Sequence, residues 1–410
     1  MYKKLSIIMP CYNCESTIEE AVNSIYKQDL QIPFEVVMVN DGSTDNTEKI
    51  INNLVIRFSE IKRIIHKQNR GGGATRNTAV KNSDGDLIFC LDSDDILPKN
   101  MLYKMVECIS KKKVDGVVFH EARFFKGLNK NKTSSSFNNI NNRNFEVKDL
   151  FNENNGSLTL VNFLYTKKAF DIAGGYPENH NMDTQAFGFR FITKGLKACV
   201  CPDTYYFHRQ ANKKSYFERM YESGEFSLNF YYIYEEILYL FSREDVKNII
   251  KYNVFKNSKL GEKNLKVELD LKYLKKKDSL FISNYKNYVI KDGFDKYIKE
   301  TPECEEFYNK FIRAVYFYKK HEFNKALDLF IESLNFDTFN KLVYFNIIRC
   351  VVALSGVNRN LIEKESVKIT ELLALKKQKI NLNPNFIKKI LIFLWKFVKK
   401  YKKVFNNRIK

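Results

Sequence analysis

Through its first 120 residues the chain alternates short β-rich apolar runs with amphipathic helical stretches, and that rhythm confines it to βαβ units and a mainly parallel sheet. Residues 4–9 read as the first strand. The helix after it opens on a Ser16-x-x-Glu19 capping box, with Ile18, Ala21, Val22 and Ile25 on one face. A second strand follows at 35–39, then a helix after Asp45 carrying Ile50, Ile51, Leu54, Val55 and Phe58. Ile64 and Ile65 mark a third strand, and a Gly-rich bend at 71–73 opens the next helix. Residues 87–91 form a continuous apolar run, the pattern of a buried parallel strand. Leu102, Met105, Val106 and Ile109 mark another helix, and 116–119 another strand. The Asn-, Ser- and Lys-rich stretch 126–144 is expected to be a mobile surface loop. Helices from Lys167 and through 187–192 then flank the turn Gly174-Gly175-Tyr176-Pro177.

The expected architecture is α/β, a mainly parallel sheet with flanking helices, followed by an all-α C-terminal region. The boundaries fall at 1–225 for the α/β unit, 226–300 for a helical extension, 301–375 for further helices and 376–410 for a basic tail. In 311–354 the placing of Ala314, Tyr318, Phe323, Ala326, Leu327 and Leu334 is much as in a tetratricopeptide repeat; an ordinary helical appendage explains it equally well.

The net charge of +20 is unevenly spread: residues 376–410 hold twelve Lys and Arg and no Asp or Glu, leaving +8 for the rest. Within that tail Ile387, Ile390, Leu391, Leu394, Val398 and Tyr401 lie along one helical face, among seven lysines between Lys388 and Lys403. Such a helix suits an anionic membrane surface, to which each lysine contributes about 1 kcal/mol. The competing reading is a stripe docked on the preceding helices with solvated lysines. No recognition motif accompanies the charge, so nucleic acid is not an expected partner. The apolar residues 5–9 are too short for a signal peptide, and no window reaches the ~18 apolar residues of a membrane span. A cytoplasmic protein, peripheral at the inner face of the cell membrane, is expected. Eight scattered cysteines suit reduced thiols, and the spacings of Cys11/Cys14 and Cys199/Cys201 make a poor zinc site.

Chemistry gathers where strands end. Asp92-Ser93-Asp94-Asp95 follows the strand at 87–91, and carboxylates so close repel unless a cation or donor groups hold them. Oxygen ligands suit Mg²⁺ or Mn²⁺, which arrive with phosphate-bearing substrates. A solvated turn with Asp95 capping the next helix is the plain alternative. The first strand ends Pro10-Cys11-Tyr12-Asn13 and the second Asn40-Asp41-Gly42-Ser43-Thr44-Asp45, both opening on the same sheet edge. Asp41 can accept from a uracil imide N–H, Tyr12 offers a ring face, and Asp45 can cap the next helix. Asn69 precedes Gly71-Gly72-Gly73, where backbone can approach a ligand, and Arg76 can reach a ribose or phosphate from the first helical turn. This is neither a dinucleotide fingerprint nor a P-loop, since no Gly motif follows the first strand and no P-loop lysine is present.

With these four segments in this order, about half the chain, residues 3–215, resembles the family 2 glycosyltransferases of the A-type (GT-A), Rossmann-like nucleotide-diphospho-sugar fold. The resemblance implies that Pro10, Tyr12 and Asp41 hold the nucleobase and that Asn69, Arg76, Asp92 and Ser93 contribute to nucleotide binding. It places Asp94 on Mn²⁺ or Mg²⁺, with Asp92 and His208 in the metal shell. The implied reaction is an inverting, metal-dependent transfer from a nucleotide-diphospho-sugar, UDP-linked by expectation, to a hydroxyl of a cell-surface glycan or lipid-linked acceptor. The family's base comes from an acidic pair after the Gly-Gly-Tyr turn. Here only one carboxylate stands in those slots, which read Asp183-Thr184 or, with a slip of one, Met182-Asp183. Asp183 is the candidate base, with a helix cap as its structural alternative. The missing partner keeps open a second class of function, a catalytically weak sugar-nucleotide-binding scaffold with a helical repeat region.

Overall fold

The computed structural model describes residues 2–126, 129–136, 140, 143–146, 149, 160–178, 182–210, 232–238, 293–303, 306–336, 342–343, 346–347, 349–350 and 353. The chain divides into two compact units, Met1–Arg219 and Met220–Lys410.

The first unit is built on a single eight-stranded sheet. In chain order it runs β1 (Leu5–Cys11), α1 (Ile18–Ile25), β2 (Phe34–Asn40), α2 (Thr47–Arg57), β3 (Ile61–Ile65), α3 (Gly72–Lys81), β4 (Leu87–Cys90) and α4 (Met101–Lys112). There follow β5 (Gly116–Lys126), β6 (Asn129–Ser136), β7 (Leu164–Thr166), α5 (Lys167–Ala173), α6 (Asp183–Thr193) and β8 (Ala198–Arg209). The spatial order is β3-β2-β1-β4-β7-β5-β6, with β8 on β5. Strands β1 to β4 are mutually parallel, β7 runs antiparallel between β4 and β5, and β8 is parallel to β5.

That order carries the functional consequence. The chain steps outward from β1 to β2 and β3, then returns to place β4 on the other flank of β1. The crevice at the carboxyl ends of β1 and β4 is therefore a topological switch point, where open α/β sheets take ligands. The strands there are apolar on both faces, with Ile7, Ile8, Val36, Val37, Ile88 and Phe89 fully buried. Helix α6 is fixed by aromatic packing in which Phe187 meets Tyr176 at 4.3 Å and Tyr165 at 5.1 Å between ring centroids.

Three local expectations change. Residues 129–136 are a strand, β6, paired antiparallel with a β5 that runs on to Lys126. The polar stretch is rich in Ser and Thr, and the edge of the lengthened β5 offers it backbone partners. The Ser16 capping box does not form: α1 takes Thr17 as N-cap without a side-chain cap bond. Asp95 does not cap α4 either, because its oxygens are committed elsewhere, as described below.

The described helices of the second unit include α7 (Gly293–Glu300), α8 (Phe307–Lys319) and α9 (Phe323–Ser333). The short turn at His321, whose φ is +62°, folds α9 back on α8. Phe311 packs on Phe330 at 5.5 Å, and Lys310 at the start of α8 pairs with Glu332 at the end of α9 at 2.6 Å. Residues 226–231, 239–292 and 376–410 lie outside the described residues, and with them the amphipathic tail. Among the described residues no helix is long and apolar enough to cross a membrane.

Candidate active site

Two βα loops are stapled together at the switch point. Asn13, in a left-handed conformation at φ +49°, donates its backbone N–H to Ser43 Oγ at 3.1 Å and accepts from Thr44 N at 2.8 Å. Asp45 accepts from Thr47 N at 3.0 Å and Glu15 N at 3.2 Å, so it closes the start of α2 and ties it to the loop after β1. These bonds hold Tyr12 at the rim of a pocket of ≈ 920 Å³ lined by Pro10, Tyr12, Asp41, Asn69, Arg76, Asp92, Ser93, Asp94 and Arg209 among others. All seven sequence-selected nucleotide-site residues thus share one cavity. Tyr12 is 50% exposed, which leaves its ring face open for stacking.

Asp41 lies at the floor, 3% exposed. Its Oδ1 accepts from Arg70 N at 2.9 Å and faces His66 Nδ1 at 2.7 Å, and its Oδ2 accepts from Gly71 N at 2.9 Å. The Gly-rich bend therefore serves Asp41 through its backbone. Its other glycines are needed for packing as well. A Cβ on Gly73 would lie 1.9 Å from the Pro177 carbonyl oxygen, and one on Gly72 2.6 Å from Arg76 Nη1. Helix α3 can approach Pro177 and Asp183 this closely only without side chains at these positions. Asn77 completes that junction, donating to Tyr176 O at 2.8 Å and accepting from Tyr176 N at 2.9 Å.

Arg76 is 8% exposed and bridges two carboxylates, Asp183 Oδ2 from Nη1 at 2.6 Å and Asp92 Oδ1 from Nη2 at 2.5 Å. Its Nε reaches Cys90 Sγ at 3.3 Å. All three guanidinium nitrogens are thus engaged, and the arginine expected to reach a ribose or phosphate joins the candidate base to the strand-end carboxylate. Burial opposes ionisation of Asp92, but Arg76 and the Asn162 amide outweigh it and hold its carboxyl below the ordinary value. Asp183 is the first residue of α6, with Met182 as N-cap, and its carboxylate faces α3 instead of capping its own helix. It stands behind Arg76 and is not among the pocket-lining residues.

On the other side of Asp92 the chain of contacts continues. Asn162, left-handed at φ +48°, donates to Asp92 Oδ2 and Tyr206 Oη, each at 3.0 Å. Tyr206 donates to Asp95 Oδ2 at 2.8 Å, and Arg209 N donates to Asp95 Oδ1 at 2.8 Å. Asp95 is fully buried and locks the end of β8. His208 Nδ1 lies 3.0 Å from the same Asp95 Oδ2. Burial would lower the imidazole pKa, yet Asp95, with Asp92 and Asp94 behind it, pushes it up to about 9. His208 thus commits Nδ1 to Asp95.

Asp94 stands apart. Its side chain is exposed at the pocket, yet the surrounding protein, followed by Asp95 and Asp92, pushes its carboxyl up to about 7. Among the described residues no group of three His, Cys, Asp or Glu side chains could hold a metal ion by itself. The donor set fits a hard cation of the kind that binds through one or two carboxylates and completes its shell with substrate phosphates. Cys108 on α4 meets Cys199 and Cys201 on β8 in a separate buried thiol cluster away from this pocket.

Sequence reasoning missed His66, Asn162 and Tyr206. His66 was legible as the residue directly after a strand that ends on the same edge; Asn162, far off in sequence, carried no signal.

Residues 6–172 match the family model for glycosyl transferase family 2. Glycosyltransferase GlyG of Streptococcus pneumoniae is 33% identical over 119 residues, covering 29% of this chain and 39% of that protein. The poly(ribitol-phosphate) beta-N-acetylglucosaminyltransferase TarS of Staphylococcus aureus is 42% identical over 105 residues, covering 24% and 18%. The match thus spans about two fifths or less of these relatives' length. The crystal structure of S. aureus TarS 1–349 in complex with UDP-GlcNAc aligns over 81% of this chain and 91% of that one, at 19% identity and a TM-score of 0.45. The segment that matches glycosyl transferase family 2, residues 6–172, runs from β1 into α5.

Proposed function

We propose that this protein is an inverting glycosyltransferase that moves a sugar from a UDP-sugar to a hydroxyl of a cell-surface glycan or lipid-linked acceptor. The observation that carries the reading is the shared pocket. It sets an open ring face, Tyr12, and a carboxylate with acceptor capacity, Asp41, beside the Asp94 carboxylate and the Arg76 bridge to Asp92 and Asp183. Tyr12 and Pro10 pack the base, Asp41 accepts from its ring N–H, and Asn69, Ser93 and Arg76 border the ribose and diphosphate. Asp183 takes the acceptor hydroxyl proton on Oδ1 while Arg76 holds Oδ2, as the hydroxyl oxygen bonds to the anomeric carbon and the bond to the diphosphate breaks. Asp94, with Asp92 beside it, would hold a Mn²⁺ or Mg²⁺ that offsets charge on the leaving diphosphate. The TarS likeness supports an N-acetylhexosaminyl donor, since that relative is described as an N-acetylglucosaminyltransferase.

One observation favours the scaffold reading, in which nucleotide is bound and transfer is slow: Asp183 is ion-paired and shielded by Arg76. Calorimetric titration of the full chain with UDP, GDP, CDP and ADP, each with Mn²⁺ and with EDTA, tests the donor site. Metal-dependent selectivity for UDP is expected; binding of none of the four overturns the reading. UDP binding with no transfer from any UDP-sugar over a broad acceptor panel would favour the scaffold.

The basic tail at 376–410 is assigned to the anionic inner face of the cell membrane. Deleting it should abolish co-flotation with phosphatidylserine-containing vesicles, and unchanged flotation would refute the assignment.

A further inference from the structure

Strand β3 delivers His66 to the site edge: its backbone N–H donates to Asn40 O at 2.9 Å, directly beside Asp41. The ring is buried, 8% exposed, and both nitrogens are used. Nδ1 lies 2.7 Å from Asp41 Oδ1 and Nε2 3.0 Å from Thr78 Oγ1 on α3. Facing a carboxylate, Nδ1 carries a proton and donates. The Thr78 hydroxyl can donate or accept, so it steadies Nε2 in either protonation state.

The count of lone pairs on Asp41 is then informative. Each carboxylate oxygen accepts about two hydrogen bonds. Oδ1 takes His66 and Arg70 N and is filled, while Oδ2 takes Gly71 N and keeps one place. A carboxylate held by backbone donors alone would keep an acceptor place on each oxygen and could turn about χ2, a soft torsion. With His66 in place it offers one acceptor in one direction.

We propose that His66 is a positioning residue for nucleobase selection: by occupying Asp41 Oδ1 and locking the carboxylate, it leaves a single acceptor that favours a base with a ring N–H, such as uracil, over one with a bare ring nitrogen, such as cytosine. The inference rests on the donor-site reading above and adds a residue and a selectivity to it.

The test compares UDP and CDP affinity, with Mn²⁺, for the full chain carrying His66→Phe, His66→Asn or Thr78→Val, each checked for folding by its thermal transition. Loss of a charge-assisted hydrogen bond predicts UDP affinity about 10- to 100-fold weaker in His66→Phe, with CDP affected less, so that selectivity narrows. The Asn amide nitrogen stands where Nδ1 stood, so His66→Asn should restore selectivity to within about threefold. Thr78→Val should narrow it about two- to fivefold, through a loosened ring. A folded His66→Phe with wild-type selectivity overturns the inference, as does His66→Asn behaving no better than a folded His66→Phe. If His66→Phe does not fold, wild-type selectivity in Thr78→Val overturns it. Should the wild type select UDP while every variant matches it, only this inference falls; should the wild type bind no nucleoside diphosphate, the donor reading falls with it.

Discussion

The two edges of the sheet in the first unit treat the same chemical group in opposite ways. At the amino edge of β2, Glu35 accepts from Ser6 Oγ at 2.5 Å and Asp84 N at 2.6 Å and meets Lys4 Nζ at 3.2 Å. Ser6 in turn accepts from Gly85 N at 2.8 Å. Burial of Glu35 opposes ionisation, but Ser6, the Asp84 N–H and Lys4 outweigh it and hold the carboxyl below its ordinary value. At the carboxyl edge of β4, Asp94 has like-charged neighbours and a carboxyl pushed up to about 7. One edge satisfies its charge from within and serves the fold. The other keeps a charge in need of a partner, which is how a binding edge differs from a scaffold edge.

Substitutions should separate the edges cleanly. The largest effect is expected at the base: Asp183→Asn should lower kcat by about 10²- to 10⁴-fold in steady-state transfer assays, with UDP affinity kept within about threefold. Equal loss of UDP affinity would move Asp183 from proton transfer to donor binding. Next comes Asp94→Asn, which should cut metal-dependent transfer about 10²-fold or more, because the cation's share of transition-state stabilisation amounts to several kcal/mol. In EDTA the same variant should unfold no earlier than wild type, since it removes a charge that Asp92 and Asp95 oppose.

Glu35→Gln should show the reverse profile. It weakens a charge-assisted cluster, so urea unfolding at pH 7 should show a loss of about 2 kcal/mol. UDP affinity should stay within about twofold, because Glu35 stands at the opposite end of the strand from the pocket. A Glu35→Gln protein that bound UDP poorly would mean that the edges are mechanically coupled and that the division drawn here is false.

How much of this was written in the sequence depends on range. Strands β1 to β5, the helices α1 to α6 and the residues that share the pocket followed from local periodicity and from residues at strand ends, because a parallel sheet brings those ends to one edge whatever lies between. Partners across long separations were not legible. Arg76 meets Asp183 over 107 residues and Tyr206 meets Asp95 over 111, and no spacing rule announces either pair. Asp95 read as a helix cap because the local string showed what it could do, and only the tertiary fold showed that it meets Tyr206 and His208. Polarity misled at 129–136, where the pairing edge of β5 overrode a loop-like composition.

The smallest effect is also the one that sets the two carboxylates in direct opposition. A carboxyl whose folded pKa is depressed binds fewer protons folded than unfolded in the acid range, so its stabilisation is present above about pH 4 and lost as pH falls through the folded value. The advantage of wild type over Glu35→Gln should therefore be flat near neutrality and shrink progressively below about pH 4. Asp94 has the opposite sign. Between its unfolded value of about 4 and the folded value near 7, the folded state holds the proton more tightly, so ionisation costs stability as pH rises. Measured in EDTA, the stability of wild type relative to Asp94→Asn should fall from pH 4 to 7 and level off above it. Adding Mn²⁺ with UDP should reverse that slope, because a cation binds the ionised form. Two difference curves with the same slope would show that Asp94 is as well satisfied as Glu35, and the carboxyl edge would lose its claim to be the binding edge.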